Sequence, residues 1–370
     1  MSHEWYHINH VEQTDSPAFV VYLDRVKENI RIIKTMIDDV SRLRPHIKTH
    51  KTKEISQLLL EAGITRFKCA TIAEAEILGM CAAPDVLLAY QPVGPKLKRF
   101  ISLIKAYPST NFSCLVDNNF SAKNISEAAQ KEHLIIPVFI DLDAGMNRTG
   151  ISLSAPVIDL YEQLSRLKGI EVKGLHIYDG HIKDPDLNKR KQQSDFVFGQ
   201  VEQLKENIII KGFGEPIIIA GGTPVFPIHS QRKNVECSPG TFVFWDAGYL
   251  KNFPEQPFLP AALVITRIIS LPGKTKICID MGHKSIAAEN DLNNRAVFLN
   301  APDIKPVSQS EEHMVAEVPE NHNYKIGDVL YVLPVHICPT TALYERSLVI
   351  ENGSVITEWQ IAARDRKIFI

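Results

Sequence analysis

Arg44-Pro45-His46-Ile47-Lys48-Thr49-His50-Lys51 is the stretch on which the reading of the fold turns. Pro45 biases Arg44 toward extended backbone, so residues 42–48 read as a short strand. A helix follows from about Thr52, where Ile55, Leu58 and Leu59 begin an apolar repeat of helical spacing. A lysine closing such a strand sits where α/β barrels place their chemistry. With His46, His50 and Lys51 beside it, Lys48 is a candidate amine nucleophile. The plainer reading of the same residues is a basic, solvated strand end, and the rest of the chain has to decide between them.

Working outward, extended apolar runs recur at 66–70, 85–90, 111–116, 135–141, 172–178 and 216–220, with an eighth strand expected over 241–244. Helical patterns at 73–80, 95–106, 121–131, 155–167 and 196–208 alternate with them. That rhythm predicts an α/β fold, a (β/α)8 TIM-like barrel, over an open doubly wound sheet. No Gly-x-Gly-x-x-Gly follows an early strand, which also weighs against a dinucleotide-binding fold. Beyond Asn252 the prolines 254, 257 and 260 mark a linker. Short strand-like segments then follow at 261–270, 276–281, 314–318, 329–334 and 347–351, a β-rich second domain whose natural partner is the buried-type strand at 18–23. The expected organisation is a barrel over 22–250 and a β-rich domain built from 1–21 and 251–370.

Composition narrows the function classes. A net charge of -2 over 370 residues gives no electrostatic footprint for nucleic acid or a membrane surface. No apolar run is long enough to span a bilayer, and residues 1–9 lack a signal core, so the chain reads as cytoplasmic. Six cysteines in a chain of this length fit reduced thiols or metal ligands better than a disulfide framework.

Several motifs carry chemistry. In Asp141-Leu142-Asp143-Ala144-Gly145-Met146-Asn147-Arg148-Thr149-Gly150, one arginine in a glycine-bracketed loop suits a carboxylate or phenolate, though Arg148 also reads as a partner for Asp141 or Asp143. Gly221-Gly222-Thr223 after the seventh strand has the form of a phosphate cradle, to which Ser238 and Gly240 add donors. His176 and Tyr178 share one strand face and His181 lies in the loop above, able to stack on a ring or move a proton. His336 and Cys338, at i and i+2 of an apparently extended segment, face the same way and suit a divalent ion such as Zn²⁺. Each motif alone also has a purely structural reading.

Taken in order, Arg44–Lys51, Asp143–Gly150, Gly221–Pro224, Ser238–Thr241 and His336–Thr340 resemble the fold-type III pyridoxal phosphate enzymes. The resemblance is to the branch holding D-threonine aldolase and metal-dependent D-serine dehydratase, related to alanine racemase, and it spans nearly the whole chain. It implies that Lys48 joins pyridoxal 5'-phosphate covalently. Arg148 would lie near the cofactor's phenolic oxygen and the substrate carboxylate, with Tyr178 beside the ring. Gly221, Gly222 and Thr223, with Ser238 or Gly240, would hold the phosphate, and His336 and Cys338 a divalent metal (Zn or Mn) at the substrate's β-hydroxyl. His181 is the candidate base, although the loop after Tyr178 departs in length from that of aldolases. The implied activity is a D-threonine aldolase-like lyase acting on a small β-hydroxy-D-amino acid, in a homodimer. D-serine dehydration is the alternative, favoured by the cysteine at 338. Racemisation is weaker, because alanine racemases lack the His-x-Cys-Pro-Thr element. A non-catalytic cofactor carrier fits poorly with the long segment beyond the barrel, and a cofactor-free hydrolase would be colourless.

Overall fold

Pro17 opens an apolar run that forms strand β1 (Ala18–Tyr22), buried over its last four residues. The computed structural model describes residues 4–370; residues 1–3, expected in the β-rich domain, lie outside the described residues. The chain divides into two compact units. One comprises the residues up to Ile32, Thr49–Glu54 and Thr241–Arg364, the other Ile33–Lys48, Ile55–Gly240 and Asp365–Ile370.

The second unit is the barrel. Its strands are β2 (Arg66–Cys69), β3 (Asp85–Leu88), β4 (Asn111–Val116), β5 (Ile136–Asp143), β6 (Ile151–Ser152), β7 (Ile170–Ile177), β8 (Ile217–Ala220) and β9 (Val235–Cys237). They are parallel, in the order β2-β3-β4-β5-β7-β8-β9, with the short β6 attached to β5. Helices fill the connections, among them Ile72–Met80, Pro95–Ala106, Asn119–Lys131, Pro156–Ser165 and Leu187–Ile210. The last starts nine residues before the expected pattern, because Asp186 caps it by accepting from Asn188 and Lys189 N–H.

The ring is closed by the opening stretch of the sequence analysis. Leu43 bridges Cys237 and His46 bridges Lys68, both in parallel sense. Arg44 N–H donates to Cys237 O (2.8 Å), His46 N–H to Pro239 O (2.9 Å) and Lys68 N–H to Pro45 O (2.9 Å). Two expectations need correction here. Extended pairing stops at His46, and Lys48 stands in a 3-10 turn, Ile47–Thr49, beyond the strand rather than at its end. The eighth strand is Val235–Cys237; residues Thr241–Val243 form a 3-10 turn ended by Trp245 at φ 48°, which breaks extended backbone.

Inside the barrel Leu87, Leu115, Phe139 and Ile219 form one apolar layer. At the closing seam the interior is ionic. The Arg44 guanidinium, 1% exposed, donates through Nε to Glu236 (2.6 Å) and through Nη1 to Asp85 (2.6 Å), while Arg66 reaches Glu236 from the next strand (2.9 Å). The segment at Arg44 is thus tied to β2, β3 and β9 by one ionic network centred on a buried guanidinium.

The first unit is a mixed sheet, built from β1 with β10 (Ala262–Gly273), β11 (Lys276–Ile279), β12 (Ala296–Phe298), β13 (Lys305–Gln309), β14 (Met314–Glu317), β15 (Val329–Pro334), β16 (Arg346–Glu351) and β17 (Ser354–Gln360). The main path runs β13-β14-β11-β10-β1-β16-β17, with β15 pairing β10 and β12. β1 lies between β10 (antiparallel) and β16 (parallel), and Val20, Tyr22, Leu263, Ile265 and Ile350 share its core. Among the described residues no helix is long and apolar enough to cross a membrane.

Removing one partner of a buried ion network leaves uncompensated charge. Arg44→Ala is therefore expected to cost about 3–5 kcal/mol, read as a lower denaturant midpoint. A midpoint unchanged from the parent would contradict this account of barrel closure.

Candidate active site

Tyr178, just past the end of β7, is the residue around which the polar side chains of the barrel gather. Its ring fits only because the neighbouring loops carry glycine: a Cβ at Gly180 would come within 2.3 Å of Tyr178 Cζ, and one at Gly222 within 3.0 Å of Cε2. The Arg148 guanidinium carbon lies 5.0 Å from the ring centroid, Lys68 Nζ 5.6 Å and Lys48 Nζ 5.9 Å, all within reach of a cation–π attraction. The turn holding Lys48 is fixed by its own N–H, which donates to His46 Nδ1 (3.2 Å). Arg148 reaches the ring because Asp143 folds its loop back, accepting from Gly145 and Asn147 N–H. Asp141 is taken by another residue.

That residue is His176. The β5–β7 register sets Asp141 opposite His176, and Asp141 Oδ1 lies 2.7 Å from His176 Nδ1 with both side chains buried. Burial and the Lys68 ammonium outweigh the carboxylate and push the imidazole down to about 4, so the ring is neutral near pH 7. An ionised carboxylate only accepts, which puts the proton on Nδ1 and leaves Nε2 as a buried acceptor with no partner among the described residues. Lys68 lies on the interior face of β2, 3% exposed, and burial followed by the charge of Lys48 holds its amine down to about 7.

The cradle after β8 is built around Gly221, whose φ of 76° suits glycine. A Cβ there would strike His229 Cδ2 at 2.7 Å. His229 Nε2 is held by Asp179 Oδ2 (2.8 Å), so this histidine braces the Gly221 turn against the loop that follows Tyr178. Gly240 N–H is already engaged, donating to Thr223 Oγ1 (3.0 Å). Among the described residues the buried Ser238 hydroxyl has no hydrogen-bond partner. The Gly221 N–H is itself engaged by Ile177 O (3.0 Å), so the turn gives an anion room to approach, beside a buried hydroxyl able to donate to it. His181 sits above Gly145, whose Cβ position is 3.1 Å from its Nε2.

In the first unit His336 and Cys338 come together, but not by strand alternation as expected. His336 is the extended N-cap of a short helix, Ile337–Thr341, and Cys338 is in its first turn. A hydrogen bond that the protonated imidazole donates to the Cys338 sulfur is the largest cause holding His336 up, to about 9. Three groups invisible as site residues in the sequence position this pair. Asp246 accepts from Ile337 N–H (2.9 Å), Glu289 bonds His336 Nδ1, and Thr49 Oγ1, one residue after Lys48, lies 3.2 Å from Cys338 Sγ. An imidazole oriented by a carboxylate, next to a thiol, is a donor set that suits Zn²⁺ or a similar ion. Among the described residues no three His, Cys, Asp or Glu side chains cluster around one such point, so any ion here would keep positions open for water or a ligand.

Residues 21–245 match the family of the alanine racemase N-terminal domain, and residues 261–350 match a serine dehydratase domain. D-threonine aldolase of an Arthrobacter species is 28% identical over 95% of this chain and 93% of its own length. 3-Hydroxy-D-aspartate aldolase of Paracoccus denitrificans is 24% identical over 96% and 93%. The crystal structure of D-threonine aldolase from Filomicrobium marinum superposes with a TM-score of 0.88, at 24% identity and 98% coverage of each chain, a likeness of fold.

The His176 ring is expected to titrate near pH 4 instead of near the ordinary 6.5, measured by imidazole proton NMR. Because the folded chain then binds fewer protons than the unfolded one between those values, the stability this ring contributes is present above 6.5 and lost as pH falls toward 4. Titration near 6.5 would contradict the burial argument.

Proposed function

The chain belongs to the alanine racemase N-terminal domain family, and from that premise we propose that it is a pyridoxal phosphate- and divalent metal-dependent lyase of β-hydroxy-D-amino acids. The reaction is a D-threonine aldolase-like cleavage to glycine and an aldehyde. The observation that carries the reading is the grouping of Lys48, Lys68 and Arg148 around the Tyr178 ring, 5.9, 5.6 and 5.0 Å from its centroid.

In this reading the barrel residues hold the cofactor and the sheet unit supplies the metal ligands. Lys48 is the attachment amine. Gly222, Thr223 and the Ser238 hydroxyl receive the phosphate; Gly221, its N–H engaged by Ile177 O, gives it room to approach, and Gly240 contributes by fixing Thr223 rather than as a donor. Arg148 donates to an acidic oxygen of the cofactor or to the substrate carboxylate, and Tyr178 packs beside the ring. Pyridoxal phosphate supplies the electron sink for negative charge at the substrate's Cα. A divalent ion on His336 and Cys338 supplies a Lewis acid for the β-hydroxyl. His181 takes the β-hydroxyl proton. Relatives that are aldolases and align over nearly their whole length support the cleavage.

The match of 261–350 to a serine dehydratase domain favours a second reading. There Lys48 removes the α-proton, and an ion held by His336 and Cys338 would supply the Lewis acid for departure of the hydroxyl as water; tautomerisation of the resulting enamine and hydrolysis of the imine give a keto acid and ammonia. We also read the enzyme as a cytoplasmic homodimer. Six free thiols are in keeping with a reducing compartment, and the dimer follows the resemblance noted above.

Product analysis separates the readings. D-threonine with pyridoxal phosphate and Mn²⁺ or Zn²⁺ is expected to give glycine and acetaldehyde, and chelation or Cys338→Ala to lower the rate by at least about tenfold. 2-Oxobutanoate with ammonia would replace the aldolase by the dehydratase, and inverted but intact substrate would overturn both.

A further inference from the structure

Lysine is almost never fully buried without an ionic partner, yet Lys68 is 3% exposed inside the barrel. It lies on β2 opposite Leu87, a member of the interior apolar layer. The backbone holds it firmly, since Lys68 N–H donates to Pro45 O in the segment that carries Lys48. Its Nζ lies 5.6 Å from the Tyr178 ring centroid, beside Lys48 at 5.9 Å and the Arg148 guanidinium at 5.0 Å.

The groups that act on Lys68 are Lys48, Arg148, Asp141, Asp179, His176 and the Tyr178 ring. Both carboxylates are engaged elsewhere: Asp141 with His176 (2.7 Å) and Asp179 with His229 (2.8 Å). Among the described residues His176 Nε2 has no hydrogen-bond partner. Lys68 is thus buried beside a half-buried Lys48 and an exposed Arg148, with the nearby carboxylates already engaged, and positive charge on its amine is unfavourable there unless an anion joins it. The Lys68 amine is held down to about 7 as the site stands.

We propose that Lys68 is a second working amine of this site, a positioning residue that donates to the acidic ring oxygen of the cofactor and takes up a solvent proton as that anion arrives. The proposal rests on the pyridoxal phosphate reading above. The phosphate has its own candidate donors at Gly222, Thr223 and Ser238, and the exposed Arg148 is left to the substrate carboxylate, so the ring oxygen is assigned to the buried Lys68. The balance is one proton from solvent gained on Nζ, with no bond to carbon made or broken by this residue.

The test is calorimetric titration of pyridoxal phosphate into the full-length protein stripped of cofactor, at pH 8, in two buffers of different ionisation enthalpy. Lys68→Met keeps the volume and removes the buried charge, and Lys68→Gln keeps a hydrogen-bond donor without charge; thermal melting shows that each is folded. The parent is expected to take up roughly a half to one proton more than either variant and to bind at least about tenfold more tightly. The difference should persist with pyridoxal, which lacks the phosphate. Equal proton uptake and affinity in parent and folded variants would overturn the role of Lys68 while leaving the cofactor reading intact. A difference seen only with the phosphate ester would overturn the ring-oxygen assignment. A parent that binds no cofactor would overturn both.

Discussion

A guanidinium buried at the seam of a parallel barrel is the constraint on which the rest of this molecule depends. The first strand is barely a strand: two bridges, at Leu43 and His46, hold it between β9 and β2. So few backbone bonds would leave the ring easy to open. Arg44 compensates by joining Glu236 and Asp85 across the closure, in an interior where ionic bonds need complete partners. Four residues later the chain has turned out of the sheet with Lys48 at the Tyr178 ring. The Lys48 amine is therefore placed by the same contacts that shut the barrel.

The chemistry that follows is one of excess positive charge in a partly dry place. Lys48, Lys68 and Arg148 share one aromatic ring, and the nearby carboxylates are each committed to a histidine. The glycine turn at Gly221 with the buried Ser238 hydroxyl offers a place for negative charge. In the sheet unit Thr49 lies beside Cys338, where thiol and imidazole are set by Asp246 and Glu289.

Much of this was legible in the sequence because its signals are local. Strands 111–116 and 329–334 emerge with the bounds that apolar patterning gives them, and Pro45 announces extended backbone before Lys48. The eighth strand was misplaced because Val235–Cys237 is three residues long with Glu236 in the middle, whereas 241–244 is apolar but folded into a turn. β13 and β17 were missed because they are edge strands, polar and largely exposed, as unpaired edges tend to be. Lys68, Asp246 and Glu289 owe their importance to neighbours far along the chain. Only for Lys68 was there a hint: Arg66 and Lys68 alternate onto one face of an otherwise apolar strand.

The most direct measurement is reductive trapping. Holding the protein with pyridoxal phosphate, adding borohydride and mapping the labelled peptide by mass spectrometry reports which amine the barrel presents. A pyridoxyl group on Lys48 is the result this account predicts. A label on Lys68 or on a surface lysine, with Lys48 unmodified, would contradict it.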